Sequence, residues 1–163
     1  MSLRALLFVP GLISAFFAVG CGGGGVPVET LVPVGGTLLV DGKPLDGVEV
    51  TFIPEVTKNR RGGTGTTDAA GAFTITDLEQ NQPGLPVGKY SIAYSRMRLP
   101  DGSAGPKPGE GQPANPGLIR VETLPSHLTT PDPKVPPNQV EIPKDGNTKL
   151  ELKISATPPP VPM

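Results

Sequence analysis

Few side chains in this sequence could carry out chemistry, and their spacing limits what that chemistry could be. His127 is the only histidine and Cys21 the only cysteine among 163 residues. A zinc site would have to recruit carboxylates around one imidazole, and a Ser-His-Asp nucleophile would have to use the adjacent Ser126 or a distant serine. Ser126 and His127 are direct neighbours in a proline-flanked stretch and do not read as nucleophile and base, so His127 is expected at the surface. Asp68 and Gly71 lack the alternating Asp or Asn ligands and the closing Glu of a calcium loop, and read as an Asp-stabilised turn. A Lys–Asn isopeptide cross-link needs both partners and an acid buried in a core. Lys43 and Asn147 fall in turns, and Lys89, Lys149 and Lys153 alternate with apolar positions and point outward. The lone Cys21 forms no intramolecular disulfide. The expectation is a non-enzymatic chain with no catalytic residue, no metal and no cofactor.

Partner classes narrow in the same way. Lys and Arg number 14 against 15 for Asp and Glu, and the longest basic run is Arg60-Arg61, so no nucleic-acid footprint is present. A carbohydrate platform relies on exposed aromatic rings. There is no Trp, and Phe52, Phe73, Tyr90 and Tyr94 all fall in phase with the apolar positions around them. A glycan-binding accessory module is therefore the secondary expectation, behind a protein-binding or structural module; exposure of Tyr90 or Tyr94 on a flat face would favour it.

The elements that would position these residues are strands. The 22 Gly and 22 Pro exclude a helix-rich fold, while 36% hydrophobic against 18% charged residues argues against a chain unfolded throughout. Apolar residues recur with period two in short runs. These are Val34, Leu38 and Val40; Val48, Val50 and Phe52; Phe73 and Ile75; Tyr90, Ile92 and Tyr94; and Leu150, Leu152 and Ile154. Together, apart from Val34, they form the expected core. Turn chemistry separates them at Asp41-Gly42, at Asp68 to Gly71, and at Lys144-Asp145-Gly146-Asn147, the last predicting a C-terminal hairpin with Val140-Glu141-Ile142. No capped helical period is present, so no long helix is expected. One-sided strands need a second sheet over their apolar face, which predicts an all-β fold, a single Greek-key-type β-sandwich of about seven short strands in residues 33–155.

Two regions stand outside that pattern. From Pro100 to Pro143, 11 of 44 residues are Pro and five are Gly, which predicts a long loop inserted at about residues 96–137. Residues 156–163 form a Pro-rich tail. If the body has a contact surface, this excursion is the first candidate, because recognition tends to sit on loops of a rigid scaffold; the loop holding Arg60-Arg61 is the second.

The N-terminal end reads as an address. Arg4 precedes a thirteen-residue apolar stretch and a small-residue exit, Ala18-Val19-Gly20, the anatomy of a secretory signal in residues 1–20. The stretch is too short and too broken by Pro10-Gly11 to span a membrane, which takes roughly 20 apolar residues. Ala18-Val19-Gly20-Cys21 resembles the lipobox of bacterial lipoproteins. The resemblance implies a signal peptide removed before Cys21, acylation of Cys21 with diacylglycerol and a palmitate-type chain, and a membrane partner held through that anchor. Gly22, standing where an Asp would retain the protein at the inner membrane, points to the outer membrane or the periplasm-facing envelope. Residues 21–32 would then be the lipidated Cys and a tether spanning roughly 18 Å.

Three segments in series resemble the carboxypeptidase-regulatory-like, or transthyretin-like, β-sandwich. They are Val34-Gly35-Gly36-Thr37 through Asp41-Gly42-Lys43-Pro44-Leu45-Asp46-Gly47-Val48, then Thr67-Asp68-Ala69-Ala70-Gly71-Ala72-Phe73, then Leu85-Pro86-Val87-Gly88-Lys89-Tyr90. The resemblance implies a fold and a location and supplies no site residue, since the domain is a non-catalytic accessory where it accompanies peptidases. The expectation is a small, lipid-anchored envelope lipoprotein of unknown envelope partner.

Overall fold

Alternation along the chain becomes strand after strand. The computed structural model describes residues 29–56, 60–104, 119–130 and 138–158. Among them the strands are β1 (Leu31–Val32), β2 (Val34–Val40), β3 (Lys43–Pro44), β4 (Glu49–Pro54), β5 (Gly63–Thr66), β6 (Ala72–Thr74) and β7 (Thr76–Asp77). They continue with β8 (Leu85–Pro86), β9 (Gly88–Ser95), β10 (Met97–Arg98), β11 (Val121–Glu122), β12 (Gln139–Ile142) and β13 (Asn147–Ile154). A single short helix among the described residues, α1 (Ser126–Thr129), interrupts the series. No helix of the described residues is long and apolar enough to cross a membrane.

The fold is all-β and mostly antiparallel. A five-stranded sheet runs β12-β9-β4-β5-β7, with Phe52 opposite Ile92 and Val50 opposite Tyr94. The second large sheet runs β13-β2-β3, with β6 also paired to β2. In it β13 lies parallel to β2, with Leu152 opposite Leu38 and Ile154 opposite Val40. Two small ladders, β1 with β8 and β10 with β11, complete the pairing.

Both large sheets turn their apolar residues into one cluster. Leu38, Val48, Val50, Phe52, Ile75 and Ile92 are wholly buried, and Phe73, Tyr90, Tyr94, Leu152 and Ile154 nearly so. The Phe52 and Tyr90 rings meet edge to face at 6.1 Å, the geometry that aromatic quadrupoles favour. Of the residues expected in the core, Val40 and Leu150 are only half-buried; Val40 closes the β2–β13 ladder opposite Ile154, and Leu150 lies opposite Gly36. Val32, Val34, Leu85, Leu124, Leu128 and Ile142 join the cluster in addition.

Four expectations are corrected. The C-terminal hairpin does not form: β12 pairs with β9 and β13 with β2, so residues 143–146 carry the chain from one sheet to the other. The crossing is fixed by the Gly146 N–H donating to Pro143 O and the Asn147 N–H to Pro33 O. The turn from Asp68 to Gly71 likewise joins β5 to β6 in different sheets instead of closing a hairpin. The Asp68 carboxylate accepts from the Ala70 and Ala72 N–H groups, which is the local chemistry expected of it. Residues 29–32 belong to the body rather than to a tether, because β1 pairs with β8, Val32 is buried, and Glu29 ion-pairs with Arg60. The excursion at 96–137 is not loop throughout, since β10, β11 and α1 lie inside it and Leu124 and Leu128 enter the core.

The close approach of β13 to β2 requires Gly36. A Cβ there would overlap the Leu150 carbonyl oxygen, and the backbone itself would have to move. Gly36→Ala is expected to destabilise the protein by about 1–3 kcal/mol, the usual cost of overpacking, read as a lower denaturant midpoint with unchanged slope; an unchanged midpoint contradicts this role.

Candidate functional site

The residues 45–48 turn and the neck of the excursion meet at one end of the strands. Thr67 is buried and pins the turn: its hydroxyl donates to Leu45 O at 2.7 Å and accepts from the Val48 N–H at 2.9 Å. That turn presents Asp46 to two arginines of the excursion. Arg98 Nη2 donates to Asp46 Oδ2 at 2.7 Å and to Asp46 O at 2.9 Å. Arg96 Nη2 donates to Oδ1 at 3.0 Å and Arg96 Nε to Asp46 O at 2.8 Å. The Arg98 side chain is 7% exposed, whereas that of Asp46 is 56% exposed, so the pair is a half-solvated latch of modest strength.

The neck itself closes around Glu122. The Ser95 hydroxyl donates to Glu122 Oε2 at 2.6 Å, and the N–H groups of Arg96 and Leu124 donate to Oε1 at 2.9 and 2.8 Å. The Thr123 N–H and hydroxyl both donate to Arg96 O. Residues 95–98 and 121–124 are thus held side by side. Met97, Ile119 and Val121 leave apolar side chains exposed there.

The electrostatics follow from those contacts. The Arg96 hydrogen bond holds the Asp46 carboxyl below the usual range, against a smaller desolvation effect and with help from the charge of Arg98. Desolvation pushes Glu122 up, but the hydrogen bonds from Ser95, Leu124 and Arg96 together outweigh it and leave the group lowered. Burial pushes the Tyr90 hydroxyl up to about 12 and raises Tyr94 as well. Tyr90 donates to Pro86 O at 2.7 Å, while the buried Tyr94 hydroxyl has no partner.

Residues singled out in the sequence are found apart from one another. His127 Nε2 lies 3.0 Å from Ser155 O, joining α1 to the end of β13, and Ser126 O accepts from the Thr130 N–H. Asn147 Oδ1 accepts from the Lys149 N–H, and Lys43, Lys89, Lys149 and Lys153 are exposed. Arg60 is committed to Glu29, while Arg61 beside it is exposed. Phe52, Phe73, Tyr90 and Tyr94 are all buried. Among the described residues no group of three or more His, Cys, Asp and Glu is placed to hold a metal ion. Cys21 and the signal in residues 1–20 lie outside the described residues, as do residues 159–163 of the tail.

Sequence reasoning missed the latch. Arg96 and Arg98 stand two apart in the sequence, and that was its only visible sign; Asp46 is fifty positions away. A groove of about 650 Å³ on the four-stranded sheet, floored by Gly35 and Gly36 with Lys149 and Glu151 along β13, was also not foreseen.

These features define an all-β body in which Asp46, Arg96, Arg98 and Glu122 latch residues 95–98 and 121–124 at one end. A scan against protein-family models matches none, and neither the curated proteins nor the solved structures give a significant match.

Gly47 carries the latch. Its φ is +64°, and a Cβ would come within 2.7 Å of Arg98 Nη1. Gly47→Ala is expected to cost about 1–2 kcal/mol and to loosen the Arg98 amide in hydrogen exchange. Unchanged exchange there would contradict the latch. Because the folded pKa of Glu122 lies below its unfolded value, the neck gains stability above the unfolded pKa and loses it as pH falls through the folded one. The Leu124 amide should therefore titrate by NMR with a midpoint below the ordinary glutamate value of about 4.3; a midpoint at or above that value contradicts the assignment.

Proposed function

We propose that this chain is a lipid-anchored, non-catalytic envelope lipoprotein, exported across the inner membrane and held through Cys21 at the outer membrane or the periplasm-facing envelope. Its body is a Greek-key-type β-sandwich of the carboxypeptidase-regulatory-like kind that serves as a protein-binding or structural module. The observation that carries the reading is the run Ala18-Val19-Gly20-Cys21, which holds the only thiol of the chain, behind an apolar stretch and eight positions before Glu29. Several acyl chains on one cysteine, at about 0.8 kcal/mol for each buried methylene, make such an anchor effectively permanent.

Two features support the sandwich. Both large sheets contribute to one apolar cluster, and the chain crosses between them at residues 67–71 and 143–146, as Greek-key connections do and meanders do not. The neck supports a binding role: residues 95–98 and 121–124, pinned together on the scaffold with Met97, Ile119 and Val121 exposed, offer a surface on which a protein partner can be recognised. The glycan alternative loses its usual platform with the burial of Phe52, Phe73, Tyr90 and Tyr94.

Mass spectrometry of the mature N-terminal peptide from the membrane fraction tests the anchor. The expected species begins at Cys21 with diacylglycerol and acyl additions, and Cys21→Ser abolishes both the additions and the membrane association. Cleavage elsewhere, or an unmodified Cys21, overturns the reading.

A further inference from the structure

The body has two poles, and they differ in what they expose. β2 and β13 run parallel, so the chain enters near Val34 and leaves near Ile154 at the opposite end. β9 runs between the same poles, from Gly88 beside Arg60 to Ser95 at the latch. Eight residues of strand separate the poles by about 23 Å.

The entry pole carries Glu29, locked to Arg60 by their ion pair and to Gln80, whose Nε2–H donates to Glu29 O at 2.8 Å. Around that lock stand three exposed aliphatic side chains from three different connections. They are Val56, which is 70% exposed, with Leu78 and Val87. They share this pole because the Glu55 N–H donates to Lys89 O and the Leu78 N–H to Gly62 O. Arg61 and Lys144 are exposed at the same end, alongside the exposed carboxylates of Glu55, Glu79 and Asp145. Exposed aliphatic tips set among charged side chains of both signs suit the boundary between acyl chains and headgroups, with the apolar tips and not net charge supplying the attraction.

We infer that the entry pole, with Val56, Leu78, Val87 and Arg61, seats on the lipid surface, while the latched excursion and the end of β13 face away from the membrane. The inference rests on the Cys21 anchor proposed above. Eight peptide steps from Cys21 to Glu29 reach at most about 28 Å, and a Gly-rich chain of that length averages about 16 Å. That average is shorter than the body, so the anchor holds the entry pole at the headgroups and leaves the excursion a strand length further out. The apolar tips then fix a tilt that a tether alone would leave free.

The test uses the full lipidated chain in phosphatidylethanolamine–phosphatidylglycerol vesicles doped with a nickel-chelating lipid. Nitroxide labels are placed singly by Arg61→Cys and Lys144→Cys at the entry pole, and by Lys43→Cys and Thr157→Cys at the other. Relaxation by the membrane-bound nickel is expected to be several-fold stronger at the first two. Equal relaxation at all four sites, or the reverse order, overturns the orientation while leaving the anchor intact. Failure of the chain to float with the vesicles overturns the anchor itself, and the orientation with it. Replacing Val56, Leu78 and Val87 together with Ser should narrow the contrast between the poles without releasing the protein; an unchanged contrast overturns the aliphatic contact.

Discussion

Everything else in this fold hangs on the parallel pairing of β13 with β2. It brings together the first long strand and the last, a closure whose chain entropy grows with the logarithm of the intervening length and is offset by burying Leu38, Leu152 and Ile154 together. The Val40–Ile154 end of the ladder is secured separately. Asp41, at a φ of +48°, accepts from the Asp-distant Ser155 hydroxyl at 2.8 Å across 114 positions, and the Asp41 N–H donates to Ile154 O. Because the pair is parallel rather than antiparallel, the two ends of the body are forced apart. The anchor proposed at Cys21 would therefore give the molecule an inside and an outside.

The Asp46 latch is the second level of organisation, and it is weaker by design of its surroundings. Its carboxylate is largely in water, so its charge contributes less than the hydrogen-bond geometry suggests. What commits residues 96–130 to the body is the combination of that latch with the Glu122 neck and with Leu124 and Leu128, which are buried in the common core. Polar contacts set where the excursion leaves the scaffold, and apolar burial makes the attachment stable.

Period-two runs were legible because each buries one face: Val48, Val50 and Phe52, and Tyr90, Ile92 and Tyr94, all lie where their alternation puts them. Partners were not legible, because a turn such as Lys144-Asp145-Gly146-Asn147 has the same residues whether the chain folds back into its own sheet or steps across to another. The choice is made by Pro33 O, which captures the Asn147 N–H from far along the chain. Two-residue strands such as β10 and β11 are shorter than any window in which a period can be seen, and the prolines around them masked Leu124 and Leu128 as core residues. The candidate site was legible only as a region. The Asp46, Arg96, Arg98 and Glu122 set depends on contacts between segments some fifty and twenty-six positions apart.

Under the proposed function the body carries the excursion of residues 96–137 away from a lipid anchor, and the central proposal is that a protein partner is recognised there. It is tested most directly by affinity capture from envelope extract, comparing the intact chain with one in which residues 105–118 are replaced by a Gly-Ser linker and the neck is kept. The account predicts a protein recovered by the intact chain and lost with the linker, while both chains unfold at the same denaturant midpoint. Identical recoveries from two equally stable chains would contradict it.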